Sequence, residues 1–253
     1  MATTNTLIFG GSGKVARHIT RLLSHSPHNH TVHSIIRKPE QQASIAALGG
    51  TPIVQSIEDS SVEAMAATIR ATSASAIIWS AGAGGGSAER TRAVDRDGAI
   101  RCMDAAALAG VKRFVMVSAV DVRDREGRPE PEWYDDGDRE RSEGMWKGIG
   151  AYMEAKLAAD KALVEDNEKR GLEWTIVRPG RLLEEEGTGR VEAGKVHLAR
   201  GIPREDVARV VVEVLGQRET IGLAFDVVGG EKEVGEAVRE VAEGRVDTFE
   251  GRH

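Results

Sequence analysis

Thr6-Leu7-Ile8-Phe9-Gly10-Gly11-Ser12-Gly13-Lys14-Val15-Ala16 decides how this chain is read. A short apolar run ends in glycines and passes into a helical pattern carried by Val15, Ala16, Ile19, Leu22 and Leu23. That is strand, tight turn, helix. Such a turn aims free backbone N–H groups and the positive end of a helix at one point, which suits a pyrophosphate. The glycines read as Gly10-x-x-Gly13-x-x-Ala16 or as Gly11-x-Gly13-x-x-Ala16, both sharing Gly13 and Ala16. Glycine permits close backbone approach, and the small Ala16 lets helix pack on strand.

Outward from that turn, strand-like and helix-like segments alternate, which predicts an α/β fold with a parallel sheet. Strands are expected at Leu7–Phe9, Val32–Ile36, Pro52–Gln55, Ala76–Trp79, Arg113–Ser118, Glu173–Arg178 and Leu223–Val228, with short ones at Val191 and Val196. Helices are expected at Lys14–Leu23, Ser60–Ala71, Val94–Ala109, Tyr152–Lys169, Arg204–Leu215 and Glu233–Glu243. Pro203 stands at the favoured opening position of one of them. Residues 121–150, charged and rich in glycine and proline, read as a long surface loop or lid. His28 and His30 lie in a loop without neighbouring Cys or carboxylates, so no metal site is read. The tail to His253 reads as charged and frayed. No linker divides the chain, so residues 1–253 are taken as one domain, with the substrate region in 121–150 and 179–253.

The chain has 253 residues, 40% of them hydrophobic, and a formal net charge of −6. That bounds it to a globular fold with a proper core and argues against a nucleic-acid partner, which needs a basic face. The single cysteine, Cys102, permits no internal disulfide and sits in an apolar helical pattern, as in a reducing compartment. No basic leader with a long apolar stretch and no membrane-length apolar run is readable. A cytoplasmic protein is the expectation.

Three groups could carry chemistry. At the end of the second strand an acid binds the ribose 2′-OH of NAD, whereas an arginine accommodates the 2′-phosphate of NADP. Here Arg37 and Lys38 occupy that place, so NADP is favoured over NAD. Tyr152 and Lys156, at i and i+4, share one helical face. An ammonium beside a phenol favours the phenolate, which predicts a Tyr152 pKa below ~10 and a usable proton donor. Ser118 ends the fifth strand, where ligands of open α/β sheets bind, and could hydrogen-bond a substrate carbonyl or hydroxyl. Tyr134 is the lesser rival of Tyr152, because no lysine follows it four residues on.

The order of these motifs resembles the short-chain dehydrogenase/reductase superfamily, Rossmann-like doubly wound proteins. The likeness is closest to its atypical or extended branch of NAD(P)H-binding, epimerase/dehydratase-like and NmrA-like proteins. Val111-Lys112-Arg113-Phe114-Val115-Met116-Val117-Ser118, Ile202-Pro203-Arg204-Glu205-Asp206-Val207-Ala208 and Phe225-Asp226-Val227-Val228-Gly229-Gly230 are similar to that branch's wording. The resemblance implies that Tyr152 is the general acid/base, Lys156 its pKa-lowering and ribose-binding partner, and Ser118 the substrate-polarising hydroxyl. It also implies that Gly10, Ser12, Gly13, Lys14 and Val15 cradle the pyrophosphate. Ser80, Ala81 and Gly82 would border the adenosine, and Pro179 and Gly180 would flank the nicotinamide. Two departures stand out. Ser56 occupies the place where the family often has an adenine-binding acid, with Asp59 three residues later, and residues 121–150 widen the gap between Ser118 and Tyr152.

The resulting expectation is an NADP-dependent oxidoreductase acting on a small-molecule carbonyl or alcohol. An epimerase/dehydratase with tightly held cofactor, or an NADP(H)-sensing regulatory protein, are the alternatives. Glu154, Asp160, Lys161 and Glu165 are taken as a charged outer face of the Tyr152 helix, which favours a monomer over a homodimer.

Overall fold

The computed structural model describes residues 4–27, 30–85, 87–126 and 129–249. His28 and His253, named above, lie outside the described residues, as do residues 127–128 of the stretch read as a lid.

The first half alternates strictly. Strands β1 (Thr4–Phe9), β2 (His30–Ile36), β3 (Thr51–Val54), β4 (Ala76–Trp79) and β5 (Arg113–Val117) are separated by helices α1 (Lys14–Ser24), α2 (Gln42–Ala46), α3 (Val62–Ala71), α4 (Ala88–Thr91) and α5 (Ala99–Ala109). Between α4 and α5 the chain winds as a π-helix, Arg92–Gly98. Then follow α6 (Asp136–Glu165), α7 (Asn167–Arg170), β6 (Glu173–Pro179), β7 (Leu182–Leu183), β8 (Arg190–Gly194), β9 (Ile202–Pro203), α8 (Arg204–Gly216), β10 (Leu223–Gly229), β11 (Lys232–Glu233) and α9 (Val234–Glu243).

The nine-stranded sheet runs β11-β8-β10-β6-β5-β4-β1-β2-β3. Every pair from β3 across to β10 is parallel, and β8 and β11 close one edge antiparallel. β4 and β5 are buried along their whole length, as parallel strands covered by helices on both faces must be. One apolar layer joins Phe9, Trp79 and Phe114 of the sheet to Met65 of α3 and Met103 of α5; the other joins Ile8 and Val115 of the sheet to Ile19 of α1 and Val211 of α8. Cys102 is fully buried, and that burial raises its thiol well above the ordinary range. The strand order reverses between β1 and β4, so a crevice opens there beyond the carboxyl ends of the strands. This is the Rossmann-like doubly wound fold expected from the sequence.

Several expectations need correction. Residues 121–150 are not one surface loop, because helix α6 begins at Asp136. Asp135 caps it by accepting from the Asp138 amide (2.7 Å), while Asp138 accepts from that of Asp135 (3.2 Å). The helix kinks at Ile149, the residue between Gly148 and Gly150. Tyr152 therefore opens the second arm of a longer helix. Val196 is buried in the irregular segment after β8 rather than in a strand. The tail is anchored up to Phe249, which is buried beneath the Arg178 guanidinium (5.2 Å from the ring centre). Asp160 is no outer-face residue; it is wholly buried. In the last third, β10, β8 and β11 extend the main sheet.

Candidate active site

The glycine turn shapes the crevice. Gly10 adopts φ +83°, and a Cβ there would stand 2.5 Å from the Ala81 Cα, so β1 and the strand-end loop after β4 approach each other backbone to backbone. Gly13 is the N-cap of α1, no side chain caps that terminus, and its first turn has no acidic residue. A Cβ on Gly13 would stand 3.1 Å from the Gly10 carbonyl oxygen and 3.7 Å from that of Ser80. An uncapped helix N-terminus facing a cradle that a single methyl would narrow fits a dinucleotide pyrophosphate.

Two clefts share the walls formed by Gly13, Ser80, Ala81, Gly82 and Gly84. The first, about 370 Å³, runs over the end of β2 and is lined by Gly10, Ser12, Arg37, Gln41, Gln55, Ile57, Glu58 and Arg90. Arg37 reaches Glu58 at 3.4 Å, and Arg90 reaches the same carboxylate at 3.3 Å. After the third strand the acid that lines this cleft is Glu58; Ser56 and Asp59 do not line it and bond each other at 2.7 Å. The signal of Glu58 was hidden because the turn after β3 is irregular and spacing could not register it. Lys38 does not line the cleft; it lies 3.7 Å from Glu40.

The second cleft, about 450 Å³, brings together Lys14, Val15, Ser118, Tyr152, Lys156 and Pro179 from separate segments, joined by Asp95, Leu182 and Arg204. Of these, Lys14 and Arg204 converge on the exposed Glu184, at 2.7 and 3.0 Å. Gly180 turns away: its amide donates to Val227, and a Cβ would meet the Val228 side chain at 2.9 Å.

Lys156 is buried, its ammonium 5.6 Å from the Tyr152 ring centre, 3.2 Å from Asp95 and donating to the Val117 carbonyl at 3.3 Å. Burial works against its charge, but Tyr152, Asp95 and Asp160 outweigh it and raise its pKa. The phenol of Tyr152 also moves up, not down as expected. Burial dominates, the pull of Lys156 opposes it, and Asp95 and Asp160 reinforce the rise. Besides burial, the physical reason is Asp95, which offsets the ammonium that was to stabilise the phenolate. Sequence reading missed this acid, since Val94–Ala109 read as an ordinary apolar helix; in fact Asp95 sits on the π-wound stretch, a winding frequent at functional sites. Its other oxygen accepts from the Ala83 amide at 2.8 Å.

Ser118 lines the cleft but donates its hydroxyl to Asp160 at 2.8 Å. Tyr134 is outside: it is buried, and its hydroxyl donates to Asp121 at 3.2 Å.

The fold and this crevice define an NAD(P)-binding protein of Rossmann type. A family model of NAD(P)H-binding proteins matches residues 10–218, and the chain belongs to that family. It is 37% identical over 236 residues to an uncharacterized sugar epimerase, YhfK, of Bacillus subtilis, covering 92% of this chain and 98% of that one. It is 36% identical over 233 residues to UPF0659 protein C216.03 of Schizosaccharomyces pombe, covering 92% of each. Among solved structures it is similar to a candidate NAD-dependent epimerase/dehydratase from Bacillus halodurans (TM-score 0.76, 30% identity, 94% of this chain and 99% of that one). Among the described residues no helix is long and apolar enough to cross a membrane.

Proposed function

We propose that the protein is an NADPH-dependent oxidoreductase that interconverts a small-molecule carbonyl and its alcohol. One observation carries the reading. Ser118, Tyr152 and Lys156 converge at one end of the crevice, while Arg37 and Arg90 stand at the other. When bound, the nicotinamide supplies or takes the hydride. Gly10, Ser12, Gly13, Lys14 and Val15 hold the pyrophosphate, and Ser80, Ala81 and Gly82 wall the adenosine side. Pro179 closes the nicotinamide side. Tyr152 gives its phenolic proton to the substrate oxygen, and Lys156 steadies the phenolate left behind. Asp95 holds Lys156 in place. Ser118 faces the same oxygen. Arg37 offers a 2′-phosphate the guanidinium that a 2′-hydroxyl does not need, which is the basis for preferring NADPH to NADH.

Calorimetric titration with NADPH and NADH, on wild type and Arg37→Ala, tests the cofactor. The expected result is NADPH binding weakened roughly tenfold or more by the substitution, with NADH little changed. Absence of binding by either nucleotide in wild type overturns the reading.

The Bacillus subtilis relative's name favours a second reading, an epimerase that retains its cofactor and oxidises substrate only transiently. Purified protein carrying stoichiometric nicotinamide, with no net cofactor turnover on carbonyl substrates, would select it.

A further inference from the structure

Ser118 and Asp160 form a pair with an unusual orientation. The serine stands in the wall of the reaction cleft, yet its one proton is committed away from it, to Asp160 Oδ2. Tyr152, Lys156 and Asp160 follow at i, i+4 and i+8, so all three lie along one stripe of α6. Asp160 is fully buried, and its other oxygen, Oδ1, has no hydrogen-bond partner among the described residues. A carboxylate kept only for packing would have both oxygens satisfied. This one has a single hydroxyl partner, and that hydroxyl belongs to the residue facing the substrate oxygen.

We propose that Asp160 is a proton-gated positioning residue, whose protonation turns the Ser118 hydroxyl from the helix toward the substrate oxygen. The proposal rests on the role given to Ser118 above. A serine has one proton to donate, and an ionised carboxylate can only accept. While Asp160 is ionised, Ser118 therefore shows the cleft only lone pairs, and a carbonyl oxygen, itself an acceptor, gains nothing from it. When Asp160 takes a proton from solvent, its new O–H donates to Ser118 Oγ. The Ser118 proton is then free to donate to the carbonyl oxygen. Only the carboxyl O–H bond is formed in the switch; the serine keeps its own proton and merely rotates.

The groups facing Asp160 place this change in a useful range. Burial pushes its carboxyl up, to about 6, against the pull of Arg178 on β6, the Ser118 bond and Lys156 on its own helix; Asp226 on β10 adds to the rise. A fully buried carboxylate has this tendency whatever its neighbours, because burial penalises the charged form.

The test is infrared spectroscopy of the protonated-carboxyl band against pH, on cofactor-free wild type, Asp160→Asn and Ser118→Ala. Wild type is expected to lose a band as pH rises through a midpoint near 6. Asp160→Asn should lack that band while keeping the one from Asp226. Ser118→Ala removes a bond that favours the ionised form, so its midpoint should move to higher pH. A second readout is NADPH oxidation with phenanthrenequinone as carbonyl probe. Wild-type kcat should fall about tenfold per pH unit above the midpoint. Asp160→Asn, whose amide N–H donates to Oγ and fixes the hydroxyl outward, should lose that limb. An Asp160→Asn spectrum identical to wild type, or an unmoved midpoint in Ser118→Ala, overturns the proposal. Expected band shifts with no quinone turnover in any variant would instead refute the reductase reading and leave the switch standing.

Discussion

Lys156→Met separates what the buried lysine does for the fold from what it does for chemistry. The Lys156 side chain is 4% exposed and that of Asp95 is 0% exposed, with 3.2 Å between their charges. Methionine keeps the stem but removes the ammonium, leaving Asp95 as a buried charge still accepting from the Ala83 amide. Breaking a buried pair from one side costs about 3–5 kcal/mol, because the surviving charge is left uncompensated. For a chain of this size that corresponds to a fall in melting temperature of roughly 6 to 20 °C. The double variant Lys156→Met/Asp95→Asn restores neutrality, and the carboxamide oxygen it introduces can still accept from the Ala83 amide. It should recover at least about 2 kcal/mol of the loss. Urea denaturation of the four proteins of the cycle, at neutral pH and without nucleotide, measures this. Carbonyl reduction should be lost in the single and the double variant alike, since both lack the ammonium beside Tyr152. A single variant within about 1 kcal/mol of wild type, or a double variant no more stable than the single, would refute the pairing argument.

Other expectations follow from individual contacts. Tyr152→Phe should lower carbonyl reduction by about 10²–10⁴-fold while leaving NADPH binding intact; unchanged turnover would remove Tyr152 from the reaction. Gly10→Ala should cost about 3 kcal/mol or more, from left-handed strain plus overlap with the Ala81 backbone, and an unshifted denaturation midpoint would contradict that close approach. His197 tethers the loop after β8 to α6 through Asp138, at 2.5 Å. That bond raises the imidazole pKa. Asp138 is pushed up by burial but drawn below its usual range by His197 and by the Leu198 and Asp135 amides. A raised histidine stabilises fully below its unfolded pKa of ~6.5 and stops doing so as pH rises through its folded value; the depressed aspartate stabilises above ~3.9 and stops as pH falls through its own. His197→Ala should therefore lower the melting temperature most between those limits, by the small amount due to a half-exposed partner, and least in alkali. A proton NMR titration placing the His197 midpoint at or below that of a free imidazole would sink this.

Much of the fold was legible because α/β order is written in local periodicity. The usual ambiguity between a buried strand and a buried helix does not arise at Phe114–Val117, where the apolar run is too short for a helix. The 121–150 segment misled because its glycines and charges resemble a loop, while the capping of α6 by Asp135 and Asp138 supports a helix through local hydrogen bonds that composition does not show. In the site, the glycine turn, Ser118, Tyr152 and Lys156 were readable from motif order. Asp95, Glu58, Arg90 and the burial of Asp160 were not, since each reaches its partner across a long stretch of sequence.

The sequence by itself determined the alternation of strand and helix, the glycine turn over the first helix and the helical face shared by Tyr152 and Lys156, because each depends on residues a few positions apart. Tertiary structure alone decided the protonation chemistry of the site. It set Asp95 against Lys156 and Asp160 behind Ser118, and burial then reversed the shift expected for Tyr152. Charge interactions and desolvation depend on distance in space and on exclusion of water, and neither is encoded in the spacing of residues along the chain.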